Sequence, residues 1–251
     1  MFYVKEAIAF HEIWHYNAHG TGARYDSNDV VYDQGEVLGV PLDRQPAMRI
    51  VEKHSHLNGE EYLIVHHKQV YEEIAQVVES VDAERLRTKV SREKRMKGRL
   101  LYSPKKLNAE FDRLFTERHW EGRRYSYFVT TEFSTALRLF GQPLAEQKKM
   151  LIEAGVQAPI QSYKQTDFVK ENVAIEVQFG KYAFVAYDLF VKHLLFYSGG
   201  LINLGIEILP VKAMQQEMSS GIAYYEGEVY NVLVHGRSNP PVPLLILGVA
   251  P

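Results

Sequence analysis

"TDFVKENVAIEVQFGK", Thr166 to Lys181, is the stretch on which the fold turns. In an extended chain Val173, Ile175, Val177 and Phe179 fall on one side, and Ala174, Glu176 and Gln178 on the other. The first set predicts a core-facing strand. The second puts a carboxylate and an amide two residues apart on a shared face. Asp167 precedes Glu176 by nine residues, and "VKEN" between them suits a turn, so a hairpin brings the Asp167 carboxylate back beside Glu176. Two carboxylates converging without His or Cys are hard oxygen donors, which suit Mg²⁺ rather than zinc. By spacing alone, the same residues also fit an ordinary charged hairpin.

Outward from this hairpin the apolar period changes repeatedly. "AMRIVEKHSHL" reads as a strand, and the next segment carries Ile64, Val70, Ile74, Val77, Val78 and Val81 at helical spacing. Asn108 to about Arg118 predicts a short amphipathic helix, "RRYSYFVTTEF" a β-rich segment, and "LAEQKKMLIEAG" a helix stopped by Gly155. Beyond the central stretch lie an apolar helix, "VAYDLFVKHLLFY", closed by Gly199-Gly200, and a buried strand, "LINLGIEILPV". A helix in "SSGIAYYEGEVYNVL" and a last strand, "VPLLILGVA", complete the chain. This interleaving predicts an α/β fold with a mixed central sheet flanked by helices.

With 251 residues, 46% of them apolar, the chain can bury one substantial core. It has no cysteine, which excludes disulfides and thiolate metal sites and suits a reducing compartment. No apolar run reaches the roughly 18 residues of a membrane span. The start, "MFYVKEAIAF", lacks the basic-then-apolar order of a secretion signal. The formal net charge is only −2, yet from Arg85 to Lys106 ten of 22 residues are Lys or Arg and only Glu93 is acidic. Arg92, Lys94, Arg95 and Lys97 are the centre of this run. It fits a solvated face, and equally a surface that follows the phosphates of DNA.

Residues 11–15, "HEIWH", match a zinc-peptidase pattern in which His11 and His15 share a helical face and Glu12 is the base. The third histidine, His19, stands at the wrong spacing for the extended form of that motif. Only ten residues precede His11, too few for the sheet that usually comes before such a helix. The histidines of this motif are therefore read as incidental. The composition shift near Met48, where a polar, Gly- and Asp-rich segment ends, sets residues 1–47, an N-terminal extension of unknown role, apart from the functional domain, 48–251.

Five segments carry a family likeness: "MRIVEKHSHLNG", "LYSPKKLN", "SYKQTDFVKENVAIEVQFGKYAFVAYDLFVKHLLFY", "GIEILPVK" and "EMSSGIAYYEGEVYNV". Together they resemble type II restriction endonucleases of the BglII group, within the PD-(D/E)xK nuclease superfamily. The resemblance runs from Met48, where such proteins begin, to Pro251. It implies a restriction-endonuclease-like core acting as a homodimer on palindromic double-stranded DNA with Mg²⁺ as cofactor. The implied setting is the cytoplasm of a prokaryote that also makes a cognate DNA methyltransferase.

On this resemblance Asp167 and Glu176 carry over as metal ligands, with the Val177 carbonyl as a third. Gln178 stands where the superfamily usually has lysine, as it does in this group. Lys181, Ser219 and Ser220 match segments that approach base edges. Lysine suits the guanine acceptors, and a serine hydroxyl can donate or accept, so it tolerates either purine. A helix N-cap for the serines and a phosphate contact for Lys181 are the plainer alternatives. The implied target is purine-GATC-pyrimidine, cut to leave four-base 5′ extensions. A DNA-binding relative without cleavage and a zinc peptidase built on HEIWH are the competing readings.

Overall fold

A computed structural model describes residues 47–251; HEIWH and the other histidine of the extension lie outside the described residues. Strand β1 (Arg49–His56) leads into helices α1 (Gly59–His66) and α2 (Lys68–Glu79). A small hairpin, β2 (Lys89–Val90) and β3 (Leu100–Leu101), precedes helix α3 (Pro104–Thr116). Then come β4 (Glu121–Val129), α4 (Phe133–Leu139), α5 (Leu144–Glu153), β5 (Ile160–Lys170) and β6 (Val173–Val177). A broken helix follows: α6 (Ala183–Tyr187), a π-helical turn (Asp188–Lys192) and α7 (His193–Ser198). The chain ends with β7 (Leu204–Pro210), α8 (Lys212–Gln215), α9 (Tyr225–Val234) and β8 (Leu244–Ala250).

Six strands form one mixed sheet in the order β1-β8-β7-β6-β5-β4, with β6, β7 and β8 parallel and the outer pairings antiparallel. Every residue of β6 and β7 is buried, as a parallel strand covered on both faces requires. On one face Phe168 and Phe179 meet the rings of Phe115 and Phe111 of α3 at 4.9 and 5.5 Å between centroids. The broken helix α6–α7 covers the other face, where Phe196 packs in one cluster with Ala174 and a set of polar contacts forms the candidate site. Among the described residues no helix is long and apolar enough to cross a membrane.

The predicted mixed sheet is present, and the differences are local. The helical run after β1 breaks at His67, whose backbone leaves the helical region at φ −140° and ψ 44°. The phase restarts there, so Leu63 is buried while Ile64 points outward. Helix α3 starts four residues before Asn108, because Pro104 suits a first turn and the Ser103 hydroxyl accepts from the Lys106 N–H. Helix α4 was not foreseen; Glu132 caps it, taking the N–H groups of Ser134 and Thr135 at 3.0 and 2.6 Å. The helix expected from Ser219 begins only at Tyr225. Before it the chain bridges Lys181 to Ile222 and turns at Gly221 with φ +79°.

Candidate active site

The hairpin read from "VKEN" is tighter than expected. Glu171 and Asn172 alone form the turn, both with positive φ (49° and 61°), so Val169 and Lys170 belong to β5. This two-residue loop fixes the register Lys170–Val173, Val169–Ala174 and Phe168–Ile175, where the pairing of β5 with β6 ends. The next residues along, Asp167 and Glu176, therefore face each other where the strands part. The Asp167 N–H donates to Glu176 Oε1 at 3.4 Å.

On its other edge β5 bulges. Glu121 pairs with Val169 but Arg123 with Thr166, so Asp167 and Phe168 both lie opposite Gly122. A Cβ on Gly122 would sit 3.3 Å from the Asp167 carbonyl, close enough that glycine eases the approach. Such bulges re-aim a side chain out of the pleat. Here Asp167 is exposed, beside a cleft of about 320 Å³ lined by Asn108, Asp112, Gln165, Asp167, Phe168 and Val177.

Glu176 is fully buried, and its surroundings were not foreseen. The face that Glu176 shares with Gln178 is roofed by the broken helix. Lys192 Nζ lies 2.9 Å from Glu176 Oε2 and 2.7 Å from Asp188 Oδ1. The other Asp188 oxygen accepts from Gln178 Nε2 at 2.5 Å, while the Gln178 N–H continues the sheet to Ile208. Glu207, also fully buried, stands in register beside Glu176 on β7 and bonds His193 Nε2 at 2.9 Å.

Two buried carboxylates, Glu176 and Asp188, thus hold one ammonium, with Glu207 beside Glu176 on the next strand. Burial, and then the Asp167 charge, push Glu176 up to about 8 in spite of Lys192. Burial likewise raises Asp188, and raises Glu207 well above the carboxylate range. His193 is held down at about 3 by burial and then by Lys192. Burial also pulls Lys192 down, but Glu176 and Asp188 outweigh it and its ammonium stays above the ordinary lysine value.

Among the described residues no three His, Cys, Asp or Glu side chains are gathered as a ready-made metal cage. Mg²⁺ does not need one, because it keeps several waters and takes one or two carboxylates. Asp167 and Glu176 supply these, and Asn108, which lines the cleft beside Asp167, has a buried Oδ1 with no partner. The donor set is all hard oxygen and fits the ion.

The residues singled out for DNA also come together. The β2–β3 hairpin holds Arg92, Lys94, Arg95 and Lys97 exposed in its loop. Glu93 of that loop accepts from the Ser220 N–H at 2.9 Å, and Lys89 bonds the Ser219 hydroxyl. Exposed Lys181 joins the same turn, with the Tyr182 N–H donating to the Gly221 carbonyl at 3.0 Å. Neither serine caps a helix, since α9 begins after Tyr224. Arg87, from the same basic run, is tied inward to Glu217 and stacks on Tyr102.

Asp188, Lys192, Glu207 and Asn108 escaped the reading of the sequence. A signal existed for two of them: Asp188 and Lys192 are the charged residues of "VAYDLFVKHLLFY", four apart in an otherwise apolar helix. Charges on such a segment are seldom buried unless paired.

A family model described as "Restriction endonuclease BglII/BglIII" matches residues 51–249. Direct comparison with curated proteins finds no match. A crystal structure of restriction endonuclease BglII complexed with a DNA 16-mer superposes with a TM-score of 0.53 at 16% identity, covering 80% of this chain and 78% of that one. Free BglII superposes at 0.46, also at 16% identity, over 78% and 77%.

Proposed function

The chain belongs to the BglII/BglIII family of restriction endonucleases, and from that premise we propose that it acts as a Mg²⁺-dependent homodimer on purine-GATC-pyrimidine duplexes, leaving four-base 5′ extensions. It is a type II site-specific deoxyribonuclease. The observation that carries the finer reading is the pair Asp167 and Glu176, set face to face where β5 leaves β6.

Asp167, Glu176 and the Val177 carbonyl would hold the ion. A Mg²⁺ so held supplies positive charge against the scissile phosphate and acidifies water. Gln178 is neutral and cannot take a proton from water. With its NH₂ group committed to Asp188, its Oε1 is left as an acceptor that orients the attacking water in line with the departing 3′-oxygen. Arg92, Lys94, Arg95 and Lys97 follow the phosphates, and Lys181, Ser219 and Ser220 approach the base edges. BglII has been crystallised on DNA, and duplex DNA is the partner this arrangement suits. A dimer with a two-fold axis matches a palindrome, each copy cutting one strand. The prokaryotic cytoplasm, with a methyltransferase protecting the same sequence, is the setting of such an enzyme.

One digest tests this. Unmethylated phage DNA is incubated with the protein and Mg²⁺, and the fragment ends are sequenced. Ends at RGATCY with four-base 5′ extensions are expected. Discrete ends at another sequence overturn the specificity alone; retention of DNA without cutting points to a cleavage-deficient binder, and indifference to DNA returns the zinc-peptidase reading.

A further inference from the structure

We infer that Lys192, with Asp188, is the positioning pair that sets both Glu176 and Gln178 for metal-dependent cleavage. The strand itself brings no cation to the site, since residue 178 is glutamine. The structure delivers one from another element, sixteen residues beyond Glu176. The π-helical turn at Asp188–Lys192 widens the helix and aims both side chains at the end of β6. Lys192 then makes two contacts, 2.9 Å to Glu176 Oε2 and 2.7 Å to Asp188 Oδ1. Each does separate work. The first holds the Glu176 carboxylate by one oxygen and leaves Oε1, which accepts from the Asp167 N–H, on the side of the cleft carboxylate. The second keeps Asp188 as an acceptor with both oxygens engaged, so that Gln178 must present its NH₂ group to Asp188 and its carbonyl oxygen elsewhere.

Both ends of the pair are built in. Asp188 is 2% and Lys192 9% exposed, so neither is a surface charge that happened to lie near. A buried ammonium facing two carboxylates is costly unless the geometry is maintained, and here every partner lies on the sheet end or on the same helix.

This inference rests on the nuclease reading, and its test has a readout independent of cleavage. Mn²⁺ binding to the full chain, with and without an RGATCY duplex, is followed by electron paramagnetic resonance for wild type, Lys192→Met and Lys192→Arg. Lys192→Met should bind Mn²⁺ about 10- to 100-fold more weakly, the usual cost of losing a group that orients a ligand. It should cut correspondingly more slowly at saturating Mg²⁺, with DNA affinity in Ca²⁺ unchanged. Lys192→Arg should recover part of both. Unchanged or tighter Mn²⁺ binding in Lys192→Met overturns the inference, because the ammonium would then be idle or a competitor for the metal. Should Lys192→Met fail to fold, Asp188→Asn decides. It is expected to fold and to cut about tenfold more slowly, as for other groups that orient a ligand, and wild-type rates would sink the role of the pair. A wild-type chain that binds Mn²⁺ but cuts no duplex defeats the nuclease reading, and the binding comparison still judges Lys192.

Discussion

Asp167 and Glu176 sit on one hairpin but in opposite surroundings, the first exposed and the second without any exposure. If both hold the ion, Asp167→Ala or Glu176→Ala should each slow single-turnover cleavage by at least about a thousandfold, given the several kcal/mol expected of metal catalysis. DNA affinity in Ca²⁺ should survive, and retained cleavage in either variant places the site elsewhere. Burial gives Glu176 a second, measurable property. Its folded value of about 8 lies above the ordinary 4.5, so the metal-free folded chain keeps a proton that the unfolded chain releases. The Glu176 contribution to stability is therefore present below about 4.5 and is lost as pH rises towards about 8. Thermal melts without metal should show wild type losing stability relative to Glu176→Gln across that window, and a constant difference would contradict the assignment. The hairpin that sets Asp167 beside Glu176 was legible because strand alternation and a short turn are local rules, while the roles given to Asp167, Glu176 and Gln178 came from the family likeness and not from spacing. Asp188 and Lys192 were not, because their meaning depends on which sheet end a helix covers.

At the level of elements, the site depends on how closely α7 approaches β7. His193 packs on Gly205, where a Cβ would fall 2.5 Å from His193 Nδ1 and 2.8 Å from Leu244 Cδ2. Gly205→Ala should therefore destabilise the fold by about 1–3 kcal/mol, as overpacking does. By displacing the helix that carries Lys192 it should also slow cleavage; an unshifted melting curve would show that the helix can yield. The element boundaries missed in the sequence have different causes. The cap at Glu132 is local, its carboxylate accepting from the Ser134 and Thr135 N–H groups, whereas the loop from Ser219 to Tyr224 is held by partners across the chain, Glu93 and Lys181. That last loop matters most, because it presents Ser220 as a turn residue beside Lys181 and not as a cap. If these two read the outer base pair, Ser220→Asn or Lys181→Asn should favour adenine there, since asparagine matches the adenine N6/N7 pair. Each lost or gained base contact is worth roughly 1–3 kcal/mol and acts in both half-sites of a two-fold dimer. Relative cleavage of AGATCT and GGATCC duplexes at fixed salt measures it, and an unchanged ratio in both variants removes these residues from the interface.

For the whole molecule, the question is how much of the chain the nuclease needs. All the described residues belong to one compact unit, and the described contacts that build the site lie within it. Its N-terminal edge is pinned. Met48 is fully buried, its N–H donates to the Val81 carbonyl at 2.9 Å, and Ala47 forms a bridge with Asp82. From Arg49 onward the chain is an edge strand, paired with β8 over its whole length. A chain begun at Met48 keeps the buried side chain and that strand, and among the described contacts loses the short bridge at residue 47. It should therefore fold with a melting temperature close to that of the full chain and cut the same sequence. The double variant His11→Ala/His15→Ala, made in the full chain, should cut as fast as wild type, because no residue of the hairpin site or of the basic turn comes from that motif. Circular dichroism melts and cleavage rates on one duplex separate the outcomes. A truncated chain that does not fold makes residues 1–47 part of the domain. One that folds but does not cut, with the double variant also inactive, makes HEIWH part of the chemistry and overturns its reading as incidental.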